Sequence, residues 1–158
     1  MAATTVNLIA QTTLTTLLSS ELNGLAKNTY TSLSGSSFNN IFTGGTINFN
    51  GYILADVMLN LAAYTGTPTA GSYFGVWFIP AIDGSVYDNS GSTISVGPDV
   101  IIPIDALASG PYQRTVRTKN MPVGVFKVLG YYSDSGTGIT FAATSNTLKI
   151  RPVSFQSQ

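Results

Sequence analysis

Apolar and polar residues alternate along most of this chain, and the alternation marks strands. Between 52 and 63, Ile53, Ala55, Val57, Leu59 and Leu61 share one face of an extended segment, because side chains alternate sides along a strand. From 73 to 82 the chain is apolar on both faces around Trp77, the pattern of a strand deep in a sheet or against an interface. Asp83-Gly84 follows as a hairpin signal. Residues 100–104 predict a short strand broken by Pro103, and 112–119 sets Arg114, Val116 and Thr118 against Thr115, Arg117 and Lys119. In 122–153, Gly124, Phe126, Val128 and Gly130 oppose Val123, Val125 and Lys127. Turn residues then interrupt at 134–138, and Leu148, Ile150 and Val153 oppose Lys149 and Arg151 on a returning strand. Pro152 has no N–H to give a ladder, so that strand is expected to end, or to lie at an edge, there.

A single window keeps helical spacing. Leu14, Leu17, Leu18, Leu22 and Leu25 predict a short helix over 16–27, with Ser19 and Ser20 ahead of Glu21 at its start. Residues 1–13 are small and polar apart from Val6, Leu8 and Ile9, an extended arm that is either frayed or pinned on a neighbouring subunit. Between 28 and 50, turn residues separate two short candidate strands, 41–42 and 47–49. The fold class that follows is mainly β: an antiparallel β-sandwich or jelly roll of about eight strands, with an N-terminal extended arm and one short helix. The arm and helix occupy 1–28 and a single sandwich domain occupies 29–158. No internal repeat or linker divides the chain.

Composition narrows the chemistry. A chain of 158 residues can bury roughly 70 % of its unfolded surface and hold one core by packing. It has no cysteine, hence no disulfide, thiolate metal site or thiol nucleophile, and no histidine, the commonest general base and metal ligand. Seven basic and seven acidic residues cancel, which gives no general pull toward nucleic acid or an anionic membrane. No apolar run reaches the ~20 residues of a membrane span, and no signal-peptide pattern opens the chain, so use without export is expected. The charges are unevenly placed. After Gly110 stand Arg114, Arg117, Lys119, Lys127, Lys149 and Arg151 against Asp134; before it stand six acids against Lys27. Either these are solvated strand faces, or the two regions complement one another and suit the packing of copies, or of the chain on an acidic scaffold.

Candidate sites are sparse. No Gly-x-Ser-x-Gly elbow and no phosphate-cradling loop occurs. The aspartates sit mostly in turn contexts and do not pair as glycoside cleavage requires. Asp88-Asn89-Ser90 offers oxygen ligands without the carboxylate density of a calcium loop. No enzyme activity, cofactor or metal is expected. Trp77, Tyr73 and Tyr132 are candidates for an aromatic platform binding sugar, against the plainer reading that they pack a core or interface. Arg114, Arg117 and Lys119 form a candidate basic contact face, and Val6, Leu8 and Ile9 a candidate apolar contact in the arm.

The run 5–26, the strand 55–61, the segment 78–87, and 124–129 with 145–152 resemble small virion structural proteins of tailed bacteriophages. The likeness lies in texture and order over most of the chain, and no catalytic residues come with it. It implies a capsid decoration (cement) protein on the virion surface, made in the host cytoplasm. The implied partners are the major capsid protein and other copies of itself, a homotrimer or another homo-oligomer. The alternative is a tail or fibre module binding host-surface carbohydrate.

Overall fold

The structure, a computed structural model, describes residues 6–10, 13–40, 54–81, 87, 94, 96–104, 110–118 and 121–157, with the backbone alone for 6–10 and 154–157. The expected strands at 41–42 and 47–49, the Asp83-Gly84 hairpin, the Asp88 cluster and Lys119 lie outside them. The described residues carry twelve strands in antiparallel sheets: β1 (Val6–Ala10), β2 (Thr15–Leu18), β3 (Thr29–Tyr30), β4 (Phe38–Asn40), β5 (Leu54–Leu61), β6 (Tyr64–Thr67), β7 (Tyr73–Pro80), β8 (Val100–Pro103), β9 (Tyr112–Thr118), β10 (Gly124–Ser133), β11 (Gly138–Phe141) and β12 (Thr147–Ser157). The count exceeds the eight expected because several strands, such as β3 and β4, are too short for an alternation to register.

Two five-stranded sheets form. The first runs β1-β12-β5-β9 with β2 also on β12, and the second runs β3-β10-β7-β8 with β4 also on β10. A separate pair joins β6 to β11. The expected stripe of β5 is there: Ala55, Val57, Leu59 and Leu61 are fully buried, with Leu148 and Ile150 of β12 beside them. They share one core with Phe74, Val76 and Phe78 of β7 and Phe126, Val128 and Tyr132 of β10. The two sheets therefore meet through one apolar layer, the two-layer arrangement of a sandwich. Each such buried side chain contributes about 1.5–3 kcal/mol relative to exposure.

Three expectations are corrected. Residues 16–27 form no α-helix: Leu17 and Leu18 end β2, a single 3-10 turn covers Ser20–Leu22, and the chain leaves it as extended backbone at Asn23. The leucines recur at helical spacing because a strand, a turn and a loop successively dip into the core. Leu17, Leu18, Leu22 and Leu25 are buried, while Leu14 is 43 % exposed. Thr15 and Thr16 are β-branched and suit a strand. Secondly, the arm's backbone pairs within its own chain, Val6 opposite Ser157 through Ala10 opposite Val153. Thirdly, Pro152 neither ends its strand nor sits at a sheet edge. It pairs with Ala55 on one side, and on the other it falls where β2, opposite 148–150, has stopped and β1, opposite 153–157, has not begun. A residue with no N–H is tolerated at such a break.

Gly130 of β10 leaves its space to the Phe74 ring of β7, the neighbouring strand in the same sheet. A Cβ there would lie 2.3 Å from Cζ of Phe74, a ring with no exposed surface. Gly130→Ala is expected to destabilise the fold by about 1–3 kcal/mol in urea denaturation, since a packed ring must shift. Unchanged stability would show that this part of the core has slack.

Candidate functional site

Alternation along β7 and β10 decides where the aromatic residues go. Tyr73, Gly75, Trp77 and Ile79 share one face of β7, opposite to Phe74, Val76 and Phe78. Trp77 is only 6 % exposed and donates its indole N–H to the Val96 carbonyl at 2.9 Å. It belongs to a second, outer cluster with Ile79 and Leu129, against which Tyr30, Leu33, Tyr87, Ile94 and Tyr131 pack. Tyr132 points the other way, is fully buried in the main core, and donates its hydroxyl to Asp134 Oδ2 at 2.7 Å. The expected sugar platform is corrected accordingly: Trp77 and Tyr132 lie on opposite faces of the sheet and neither offers an open ring. Tyr73 is half-buried at the start of β7.

Asp134 organises one end of the molecule. Its Oδ2 accepts from the Thr69 N–H (2.9 Å), the Ser72 hydroxyl (2.6 Å) and Tyr132, and its Oδ1 accepts from the Gly136 N–H (2.8 Å). Asn28, held at φ 55°, grips the Asp134 backbone with both ends of its amide, accepting the N–H at 3.1 Å and donating to the carbonyl at 3.0 Å. Burial alone would raise this acid's pKa, but the hydrogen bonds from Ser72, Thr69 and Tyr132 outweigh it and hold the carboxyl well below the usual carboxylate range. Burial, then the bond to Asp134, pushes the Tyr132 phenol up. Every oxygen lone pair in use is turned inward, so the group acts as a structural knot.

A second carboxylate lies on the outward face of the first sheet. The register places Arg151 of β12, Asp56 of β5 and Arg117 of β9 directly opposite one another. Arg117 meets Asp56 with two bonds, Nε to Oδ1 at 2.8 Å and Nη2 to Oδ2 at 3.2 Å, and Arg151 Nη2 reaches Oδ2 at 2.8 Å. The Arg117 guanidinium, over an opposing effect of burial and with Arg151 beside it, lowers the pKa of Asp56. Next to the triplet a cleft of about 180 Å³ is lined by Leu14, Asp56, Met58, Thr115 and Arg151.

The expected basic face is thus rearranged. Arg117 is engaged by Asp56, and Arg114, opposite Leu59, stands on the other face of β9. The cation that sequence reasoning passed over as a contact is Arg151. Its outward position was legible from the alternation, but its meeting with Arg117 across Asp56 depends on which strands are neighbours. Val6, Leu8 and Ile9 fall on β1, the margin of the first sheet; among the described residues, β1 pairs only with β12. Among the described residues no group of three or more His, Cys, Asp or Glu side chains gathers to hold a metal, and none of their helices is long and apolar enough to cross a membrane. Comparison with protein-family models, with curated proteins and with solved structures finds no match to this chain.

The carboxylates set the acid limit of the fold. For Asp134 and Asp56 the folded pKa lies below the unfolded one, so their stabilisation is complete above the ordinary carboxylate value of about 4 and is lost as pH falls below it. Asp99, raised by burial against its bond from the Phe78 N–H, works in the opposite sense. Thermal stability is expected to be flat near neutral pH and to drop below about pH 4. Asp134→Asn is expected to cost about 2–4 kcal/mol at neutral pH and to flatten the acid limb. A variant with the parent's stability and acid profile would show that the knot contributes nothing.

Proposed function

We propose that this chain is a bacteriophage capsid decoration (cement) protein that binds the major capsid protein lattice on the virion surface and acts through contact area. The observation that carries the reading is β1. It is an uncharged strand, Val-Asn-Leu-Ile-Ala, at the margin of the first sheet, and among the described residues its second edge has no strand partner. Edge strands of this kind are templates for another chain, and native proteins usually guard them with charge or proline. The edge strand β9 carries Arg114 and Arg117, and β8 carries Pro103; β1 has neither safeguard.

In this reading β1 adds to a strand of a capsid subunit, or exchanges with the arm of a neighbouring copy. Many weak contacts on one lattice then add by avidity. The sandwich is read as a jelly-roll variant. The support is a chain that alternates between layers, with β2 and β5 in the first sheet, β3, β4, β7 and β8 in the second, then β9 in the first, β10 in the second and β12 in the first. The alternative, a carbohydrate-binding tail or fibre module, has lost the platform first assigned to it, because Trp77 and Tyr132 are buried.

Two measurements test this reading. Mass spectrometry of gradient-purified particles, heads and tails apart, is expected to find the chain with heads; recovery with tails would favour the alternative. Removal of residues 1–10 is expected to lower particle binding at least tenfold, about 1.4 kcal/mol or more, with the β-type circular dichroism spectrum retained. Unchanged binding would remove β1 from the contact.

A further inference from the structure

The outward face of the first sheet holds more positive than negative charge. Register sets Lys149 opposite Met58, Met58 opposite Thr115, and Asp56 between Arg151 and Arg117, so these side chains stand on one side of the sheet. Three cations there surround one carboxylate. Arg117 and Arg151 keep 47 % and 40 % of their side-chain surface exposed although each bonds Asp56. Lys149, half-buried, makes no ion pair among the described residues. Asp56 is therefore outnumbered, and the face attracts an anion in spite of it.

Arg151 is the cation with donors left over. A guanidinium has five N–H groups in a planar fork. In Arg151, Nη2 reaches Asp56, while the buried Nε has no hydrogen-bond partner among the described residues. Arg151 also lines the cleft of about 180 Å³, together with Thr115, Met58 and Leu14. Thr115 brings a hydroxyl, and Leu14, 43 % exposed, brings apolar surface. Met58 is steadied by Gln113, whose Nε2 lies 2.9 Å from its Sδ. The cleft is smaller than the ~300 Å³ at which pockets begin to enclose a drug-sized ligand. Its size and lining suit one side chain: a carboxylate, which matches the guanidinium fork, on a short aliphatic stem.

We propose that this cleft takes a glutamate side chain from an acidic segment of a partner protein. The carboxylate meets the part of the Arg151 guanidinium that Asp56 does not take, with the Thr115 hydroxyl beside it, and the methylenes pack on Leu14 and Met58. Lys149 and Arg117 flank the cleft and attract acids before and after that glutamate. The contact uses no residue of β1 and holds whether or not the chain decorates a capsid. Exposed ion pairs are individually weak, so affinity depends on the seated glutamate and its flanking charges acting together, and it fades as salt screens them.

Fluorescence anisotropy of the full chain with a short labelled peptide alternating glutamate and alanine, against its glutamine counterpart, is the test. At about 20 mM salt the glutamate peptide is expected to bind at least about tenfold more tightly, and the difference to shrink at about 500 mM. Arg151→Lys keeps the charge but loses the fork and is expected to weaken binding about tenfold; Lys149→Met is expected to weaken it about threefold. Circular dichroism checks that each variant folds. Amide shifts in nuclear magnetic resonance titrations of the unaltered chain locate the contact whatever the variants do: Met58, Thr115 and Arg151 are expected to move, and Val6–Ala10 to stay. Equal binding of the two peptides, Arg151→Lys that folds and binds as the parent does, or shifts confined to β1 would each overturn the proposal. So would displacement of the peptide by inorganic phosphate or butyrate at the peptide's own concentration, which would make the site one for a free anion. Particle binding by the chain lacking residues 1–10 tests β1 separately, so the two readings succeed or fail apart.

Discussion

A single enclosed carboxylate closes the end of the molecule where β10 gives way to β11. Asp134 reaches the 69–72 loop through Thr69 and Ser72, the core through Tyr132, and its own turn through Gly136. Asn28 ties the same point to the segment before β3. With no cysteine in the chain and few charges, long-range cross-ties must come from groups of this kind, and low local dielectric strengthens each bond once water is excluded. The apolar layer between the sheets supplies the bulk of the stability; the knot fixes how the segments around it sit.

What the sequence made legible follows from which signals are local. The alternation of β5 and the run through β7 state their own burial, and the 134–138 turn announces itself by composition. The 14–25 leucines misled because a spacing of three and four residues describes any path that dips repeatedly into a core; the strand preference of Thr15 and Thr16 is the local signal on the other side. Strands as short as Thr29–Tyr30 carry no period at all. The Asp56 triplet and the Asp134 knot were illegible for another reason: each joins residues separated by 60 or more positions, and only the strand order brings them together.

The same distinction applies to function. Sequence alone suggested aromatic and basic patches, yet folding buries Tyr132 in the main core, covers Trp77 within the outer cluster, and engages Arg117 with an acid. What remains on the surface among the described residues is a margin and a charged face: an unguarded strand at one edge of the first sheet, and Lys149, Arg117 and Arg151 around Asp56 on its outward side. Edges and charged faces of this kind are means of joining sheets and surfaces.

The most direct measurement is amide hydrogen exchange of the chain, free and bound to the capsid lattice it is proposed to decorate. Addition of β1 to a neighbouring strand predicts that the amides of Val6–Ala10 slow markedly on binding while those of the buried β5 stay as they were. Binding that leaves the β1 amides exchanging as in the free chain would contradict the account at its centre.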